Sequence, residues 1–340
     1  MFSSKSYTLR LRKTAGYFPL LLGLLAMAFS TQKSFAATNT FNFTGGAQTF
    51  TNPPTVTSIT VTLTGGRGAK GGNDSGNSGG SGGQAGRVTG TITNLTPGEI
   101  LTIYAGAGGA DGSSNVSNTG GGSGGSSAGA PLGGGGGRGG NAGGKTTWFF
   151  GTVLYPSGGG GGGGGAAWLY RSTNTALTNL VAVAGGGGGG GGAGGANAGL
   201  GGSIGLYWSG TTTGQNGTDR GSSNDGGGGG GGGGGYPNGG AGGGLRSSGD
   251  TDSGGTGGSN GANYTNGLAS PTSTAVNWDG TAQVQIVFNG LPTAPTISGT
   301  SDLSRVTLSW TAPASALTIT DYIVQYKPEY NDIVNHKRVK

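Results

Sequence analysis

Three uninterrupted runs of glycine, at residues 158–165, 185–192 and 226–235, constrain the fold of this chain more than any other feature. Glycine loses more conformational freedom on folding than any other residue, so such runs usually form flexible linkers. Here two runs are joined directly to apolar segments, because residues 166–170 (AAWLY) follow the first and residues 180–184 (LVAVA) precede the second. A linker does not need such junctions. The placement favours glycine as a packing material inside a folded module.

The energetics of a glycine run depend on its neighbours. Ordering a run of ten residues costs on the order of 10–20 kcal/mol of backbone entropy, whereas one hydrogen bond returns about 0.5–1.5 kcal/mol. Several runs packed as extended helices with three residues per turn donate N–H groups sideways and add weak Cα–H···O contacts. The three long runs and a shorter one at residues 133–137 therefore predict a polyglycine-II bundle, with disordered loops as the alternative.

Between the glycine tracts, apolar residues alternate with Thr or Ser, which predicts β-strands. The mature chain carries no convincing 3.6-residue apolar period, so the fold class is predicted to be all-β, with the apolar strands in a sandwich and the glycine tracts as long excursions from its edges. A turn at residues 95–98 (LTPG) between two of the strands predicts a hairpin. The predicted strands lie at residues 41–43, 56–63, 88–93, 100–104, 180–184 and 282–288.

Residues 1–36 have the pattern of a secretory signal. Four basic residues precede a short apolar core at 18–29, and Ser34 and Ala36 supply small side chains at −3 and −1. The core is too short to span a bilayer, which needs about 20 apolar residues. The sequence therefore predicts a secreted or cell-surface protein with no integral membrane span, and an uncleaved N-terminal anchor is the alternative.

Charge and cysteine content exclude several classes of function. The signal holds five of the 18 Lys and Arg residues and none of the 12 Asp and Glu residues, so the mature chain has 13 against 12, a net charge near +1. Nucleic acid binding, which needs a clustered basic face, is therefore not expected. The chain has no cysteine, which excludes disulfides and thiolate metal sites and leaves stability to packing and backbone hydrogen bonds.

The composition changes after residue 290. Residues 291–295 are proline-rich, and 306–310 (VTLSW) and 319–326 (ITDYIVQY) resemble the first strands of a fibronectin type III domain, with Trp310 as the core tryptophan. The resemblance ends near residue 326, and the charged tail at 327–340 does not continue it. The predicted organisation is a signal peptide (1–36), a glycine-rich sandwich (37–290), a partial fibronectin type III domain (291–326) and a tail (327–340).

Several segments of the glycine-rich region match a known pattern, at 41–45 (FNFTG), 48–50 (QTF), 53–66, 97–99 (PGE) with Ile103, 180–192 and 284–286. On these segments the region resembles a domain found in many exported bacterial proteins, and it is similar to the glycine-rich region of anaplastic lymphoma kinase. The resemblance implies a jelly-roll-like sandwich with polyglycine-II helices, a scaffold at or outside the cell surface and no shared catalytic activity. Family members often have an aromatic-Gly-Ala motif after the first long strand, where this chain has Leu63-Thr64-Gly65-Gly66.

Motifs for catalysis are weak. Residues 139–146 (GGNAGGKT) match a phosphate-binding loop, but the mechanism needs a strand before the loop and a helix after it. Here a glycine run precedes the match and strand-like residues follow it. His336, the only histidine, lies in the tail, and Glu99 is the only glutamate of the glycine-rich region. We therefore expect no enzyme activity, cofactor or metal.

Aromatic residues beside the glycine tracts are the remaining candidate site. Tyr207, Trp208 and Tyr236 present flat side chains that can stack on sugars or on a protein partner. The alternative is that they cap the glycine bundle, which we expect of Trp168 and Tyr170.

Three functions follow, all without catalysis. The first is a structural or adhesive surface scaffold in contact with extracellular matrix. The second is a module that binds a cell-surface glycan or protein through the aromatic tips. The third is ice binding by a flat polyglycine-II face.

Overall fold

A computed structural model describes residues 36–117, 119–143, 156–195, 197–203, 210–221, 226–246 and 252–289 in full, and elsewhere only the backbone of individual strands. The chain divides into two compact units. The larger comprises Thr38–Asn52 and Thr57–Phe288, and the smaller comprises Met1–Ala37, Pro53–Val56 and Asn289–Lys340. No helix of the described residues has the length and apolar character needed to cross a membrane.

Strands account for nearly all of the regular secondary structure, which confirms the predicted all-β class. In the part of the chain that the structure describes, the one helical element is a short 3-10 turn at Leu177–Asn179. In chain order the strands are β1 (Lys5–Leu9), β2 (Phe35–Asn42), β3 (Gln48–Thr51), β4 (Ile59–Thr64), β5 (Ala85–Ile92), β6 (Ile100–Ala105), β7 (Lys145–Trp148), β8 (Gly151–Leu154), β9 (Ala167–Arg171), β10 (Leu180–Ala184), β11 (Tyr207–Trp208), β12 (Gly239–Gly240), β13 (Ala269–Val276), β14 (Gln283–Gly290), β15 (Ile297–Ser301), β16 (Val306–Trp310), β17 (Tyr322–Tyr326) and β18 (Asn335–Val339).

Two antiparallel sheets form the sandwich of the larger unit. One has the order β13-β5-β4-β14-β2 and the other the order β10-β9-β6-β3. In β4, β5 and β14 alternate residues are buried, as a sheet with one covered face requires. Phe50 of β3 and Phe288 of β14 contact each other across the two sheets, with ring centroids 5.6 Å apart. The core includes Ile59, Val61, Leu63, Val88, Ile92, Leu101, Ile103, Leu169, Val284 and Ile286.

The predicted hairpin at residues 95–98 is wrong. Strand β5 pairs with β4 and β13, whereas β6 pairs with β3 and β9, so this turn carries the chain from one sheet to the other. The local turn does form, since the Glu99 N–H donates to the Thr96 carbonyl at 3.1 Å and Gly98 adopts a positive φ of 77°. A turn motif fixes the local bend but not the partner of the strand that follows it.

Strand β13 is absent from the sequence predictions. Its residues (ASPTSTAV) are largely polar and exposed, and they include Pro271. It lies at the edge of the five-stranded sheet, where a proline that cannot donate to the ladder is tolerated and discourages further pairing.

The glycine run at residues 158–165 continues into Ala166 as an extended helix that hydrogen-bonds to six other segments. Its N–H groups donate to three of these segments in rotation, so every third N–H reaches the same segment. The N–H groups of residues 158, 161 and 164, for example, donate to the carbonyls of residues 193, 190 and 187. This rotation by one neighbour per residue is the pattern of a helix with three residues per turn. The N–H groups reach segments 187–193, 107–113 and 134–140, and the carbonyls accept from segments 66–72, 122–125 and 228–234.

The runs at 185–192 and 226–235 have the same arrangement. Segments 158–166, 185–193 and 226–235 are mutual neighbours, because the N–H of Gly228 donates to Gly158, that of Gly192 to Gly228 and that of Gly158 to Ala193. The three longest runs therefore form the centre of a bundle, which confirms the predicted polyglycine-II arrangement. Nine shorter segments among the described residues surround them, at 65–73, 79–86, 106–114, 120–126, 134–142, 199–203, 212–220, 239–244 and 253–261.

The smaller unit contains two short sheets. In one, β16 pairs with both β15 and β1, and in the other β17 pairs with β18. Strands β16 and β17 coincide with the predicted fibronectin-like strands. Within the tail, Asn335–Val339 forms a strand that pairs with Tyr322–Tyr326. The assignment of this unit as a fibronectin type III domain stays a prediction, as does that of residues 1–36 as a signal peptide.

Candidate functional site

Tyr236 of the predicted aromatic site packs against the sandwich. It is half-buried, with its ring centroid 6.0 Å from that of Trp168 and 5.2 Å from that of Tyr264, both in edge-on geometry. Edge-to-face contact of this kind adds about 0.5–1.5 kcal/mol to the burial of the rings. The alternative role of Tyr236, which is to cap the glycine bundle, therefore accounts for most of its contacts.

The side chains of Tyr207 and Trp208 lie outside the described residues. Their backbones form β11, which pairs with β12 so that Tyr207 lies opposite Gly240 and Trp208 opposite Gly239. Gly239 follows Tyr236 by three residues. The pairing therefore brings the backbones of all three predicted site residues to one end of the glycine bundle.

Five aromatic residues, here called the aromatic cluster, join the outer face of the four-stranded sheet to this end of the bundle. They are Tyr104, Trp168, Tyr170, Tyr236 and Tyr264. Trp168 and Tyr170 are fully buried and their rings are parallel, with centroids 6.2 Å apart. Tyr104, Tyr236 and Tyr264 are half-buried and surround them. The cluster confirms that Trp168 and Tyr170 are core residues at the base of the bundle.

Two polar atoms of the aromatic cluster lack a protein partner. Trp168 Nε1 and the Tyr170 hydroxyl are both buried and make no hydrogen bond within the structure. Burial, reinforced by the neighbouring Tyr104 and Tyr236, raises the pKa of Tyr170 well above its usual range, so its hydroxyl stays protonated. Both groups are therefore unsatisfied hydrogen-bond donors, for which a water or a ligand oxygen would be a suitable acceptor.

Gly134 lies directly against Trp168. Its φ is +85° and that of the preceding Gly133 is +80°, and a Cβ at position 134 would lie 2.5 Å from the Trp168 ring. Only glycine accommodates both the positive φ and this close approach. The start of segment 134–142 is thereby fixed to the aromatic cluster.

The phosphate-loop match is part of the bundle. The N–H groups of Gly139 and Gly140 donate to the carbonyls of Gly122 and Gly229, so they are not free to hold a phosphate. Lys145–Trp148 forms strand β7, where the motif requires a helix. The loop and helix that the motif requires are therefore not formed by these described residues.

Side chains on the outer segments bind the backbone of their neighbours. Both guanidinium nitrogens of Arg138 donate to the Asp219 carboxylate at 2.8 Å, and the Asn141 N–H donates to the same carboxylate at 2.7 Å. These hydrogen bonds, led by that from Arg138, hold the pKa of Asp219 below its usual value and raise that of Arg138. The charges thus connect segments 134–142 and 212–220.

A second such contact lies on another pair of outer segments. Arg67 and Asp111 form an ion pair at 3.3 Å, and the Lys70 N–H donates to Asp111 Oδ1 at 3.1 Å. At the far end of the sandwich, burial opposes the ionisation of Glu99, but hydrogen bonds from Arg171 and Thr96 outweigh it and lower its pKa. The charged groups that the structure describes therefore serve mainly to fix backbone segments. Among the described residues, no three His, Cys, Asp or Glu side chains are grouped closely enough to hold a metal ion.

The sequence carries a signal for the outer segments that period-two and period-3.6 searches miss. Their side chains recur at every third residue, because only one face of each three-residue turn points away from the bundle. Such rows consist of Arg67 and Lys70, Ser123 and Ser126, Arg138 and Asn141, and Thr213, Asn216 and Asp219.

The fold and this site define a class: an all-β sandwich whose strands extend into a bundle of polyglycine-II helices. No model of a known protein family matches the chain, and no curated protein sequence matches it significantly. The resemblance to exported glycine-rich domains therefore stays a prediction from the residues.

Proposed function

We propose that this protein is an exported, non-enzymatic scaffold that acts as a rigid structural or adhesive element at the cell surface or in the extracellular matrix. The observation that carries the proposal is the central position of the three glycine runs. A Cβ added at Gly160, Gly189 or Gly231 would lie 1.9, 2.0 or 2.1 Å from a backbone oxygen of a neighbouring segment. The centre of the bundle is therefore packed through its backbone alone, which suits a stiff support.

The placement of charge supports the same function. Arg138 with Asp219 and Arg67 with Asp111 join neighbouring backbone segments, so groups that an enzyme would need for proton transfer contribute to rigidity. Export and surface location rest on the signal-like pattern of residues 1–36.

A second candidate, a glycan-binding module, is favoured by one observation. The aromatic cluster combines half-buried tyrosine rings with two unpaired donors, Trp168 Nε1 and the Tyr170 hydroxyl. Sugars offer apolar ring faces for stacking and oxygen atoms as acceptors.

One experiment tests the scaffold and distinguishes it from the glycan-binding module. Cells that lack the protein are complemented with the wild type, with Gly231→Ala or with Tyr236→Ala, and surface location and adhesion to matrix-coated surfaces are measured. We expect Gly231→Ala to lose adhesion and Tyr236→Ala, once shown to be folded, to retain it.

Loss of adhesion in folded Tyr236→Ala, with glycan binding lost in parallel on an array, would replace the scaffold by the binding module. Normal adhesion of cells that lack the protein would contradict both functions. Ice binding by a polyglycine face stays a prediction that thermal hysteresis measurements test.

A further inference from the structure

The outer face of the five-stranded sheet carries a regular array of threonines on three neighbouring strands. On β4 the apolar residues Ile59, Val61 and Leu63 are buried, so Thr60 and Thr62 point to the opposite face. The same alternation places Thr89 and Thr91 of β5 on that face, and the pairing of Thr272 with Thr89 places the threonines of β13 there as well. The array, here called the threonine face, consists of Thr60, Thr62, Thr89, Thr91, Thr272 and Thr274.

The pairing register aligns these threonines in rows across the strands. Thr89 lies opposite Thr62 on one side and opposite Thr272 on the other, which gives a row of three. Thr60 lies opposite Thr91 in the next row. Thr60, Thr272 and Thr274 are exposed, and Thr62, Thr89 and Thr91 are half-buried. The rows therefore face solvent over their whole length.

The sheet fixes the spacing of the hydroxyl and methyl groups. Neighbouring strands lie about 4.8 Å apart, and alternate residues of one strand about 6.7 Å apart. The hydroxyls of Thr62 and Thr89 are 3.2 Å apart and hydrogen-bonded. Val61, Leu63 and Val88 beside them are fully buried, and threonine, being β-branched, has restricted χ1 rotation. The array is rigid for these reasons.

The threonine face also carries little charge. The charged residue in its register is Arg87 on β5, opposite Thr64 and Thr274, and its Nε donates to the Thr64 hydroxyl at 3.2 Å. Gln285 of β14 lies opposite Thr62 and extends the central row with an uncharged side chain. Apart from Arg87, the array consists of neutral hydroxyls and methyls, which hold water by weak, directional contacts without the strong hydration shell of an ion.

We propose that the threonine face binds ice. Oxygen atoms on the flat faces of an ice crystal repeat at distances similar to the spacing between neighbouring strands and between alternate residues of this sheet. Each hydroxyl can take the place of a lattice water, while the methyl groups between them stabilise cage-like water. This function goes beyond that of a scaffold, and it assigns ice to a different surface from the polyglycine face considered from the sequence.

The bundle is a poorer match for ice than the sheet. The outer segments present Arg67, Lys70 and Asp111 on one side and Arg138 and Asp219 on another. Charged groups order water around themselves and disturb a lattice of neutral oxygens.

Thermal hysteresis and inhibition of ice recrystallisation on the purified full chain test the proposal. Thr89→Lys places a charge at the centre of the row, and Thr272→Lys places one on the exposed edge strand. Thr213→Lys, on an exposed position of segment 212–220 in the bundle, is the matched control. Thermal unfolding of each variant reports whether the fold is intact.

We expect the wild type and Thr213→Lys to show a hysteresis gap and both sheet variants to lose it. If Thr89→Lys does not fold, Thr272→Lys alone decides the result. The proposal is overturned if the wild type has no hysteresis, if a folded sheet variant keeps the full gap, or if Thr213→Lys loses it. This outcome does not depend on adhesion, so the scaffold and the ice-binding face can fail separately.

Discussion

At the scale of single residues, the missing side chain of glycine determines what can occupy the centre of the bundle. The Cβ position of Gly231 lies 2.1 Å from the Gly137 carbonyl oxygen, whereas that of Gly244 in an outer segment has its nearest neighbour, Thr256 Oγ1, at 4.0 Å. A real Cβ does not approach a backbone oxygen as closely as 2.1 Å. Two glycines can therefore differ greatly in their tolerance of a larger side chain, because one segment is surrounded by other segments and the other is not.

Gly231→Ala is predicted to destabilise the larger unit strongly, by about 3 kcal/mol or more, because the backbone of two segments must separate to admit the methyl group. Gly244→Ala is the matched control. It is predicted to leave stability unchanged or to raise it by about 0.4–1 kcal/mol, because alanine restricts the unfolded chain. Chemical denaturation of both purified variants measures the difference, and equal stability of the two would contradict the packing described for Gly231.

At the scale of elements, the bundle has a period of three, and this period sets which changes of length are tolerated. Segment 134–142 presents Arg138 and Asn141 outward, while a Cβ at Gly137 or Gly139 would meet a backbone oxygen at 2.0 or 1.9 Å. Within the run 226–235 every residue is glycine, so each position is equivalent to the next.

One glycine inserted between Arg138 and Gly139 is predicted to unfold or strongly destabilise the protein, since it rotates a side chain into the bundle. Three inserted glycines at the same point restore the phase and are predicted to cost less than one. A single glycine inserted within 226–235 is the control, and it is predicted to be tolerated because the run can slide by one residue. Thermal unfolding of the three variants tests the order. A result in which three residues cost more than one would argue against a three-residue helical turn.

The strands illustrate how far local pattern determines an element. The alternation in residues 59–63 and 282–288 and the apolar run before the second glycine run predicted β4, β14 and β10, because burial of one or both faces leaves a direct mark on composition. Strand β13 left no such mark, since an edge strand that is exposed along most of its length needs no apolar residues. The hairpin at 95–98 failed for a different reason, because turn chemistry acts over four residues while pairing is decided by the whole sheet.

At the scale of the whole molecule, the sandwich and the bundle share their chain segments. Strands β4, β6 and β10 run directly into segments 65–73, 106–114 and 185–193, and segment 158–166 runs into β9. The sheet thereby orders the first turn of four extended helices, and this lowers the entropy that their lateral hydrogen bonds must offset. The sandwich and the bundle are expected to unfold together.

Hydrogen exchange measures this coupling. The amides of 189–193 and 227–235 are predicted to exchange as slowly as those of β4 and β5, through global unfolding, because each donates to a neighbouring segment inside the bundle. The amide of Gly45, in an exposed loop, is the internal control and is predicted to exchange fast. Fast exchange across the two glycine runs in a chain whose strands stay protected would return these runs to flexible linkers.

The candidate site was only partly accessible from sequence. Tyr236 was recognised as an aromatic residue beside glycine, but its contacts with Trp168 and Tyr264 come from segments 68 and 28 positions away along the chain. The alternating threonines of the threonine face are visible in the sequence of the strands. Its rows, however, depend on the register of three strands, and one of these, β13, was not predicted. Local composition specifies which groups are present, and pairing specifies which of them meet.

The sequence by itself determined the all-β class, the strand-to-glycine junctions and the use of glycine as packing material, because each follows from side-chain volume and local periodicity. Only the tertiary structure decided that the three pure glycine runs are the three central helices. A segment surrounded on every side has no room for a Cβ, whereas an outer segment has one free face and carries a side chain at every third residue. That distinction depends on the number of neighbours, which no local pattern contains until all the segments are assembled.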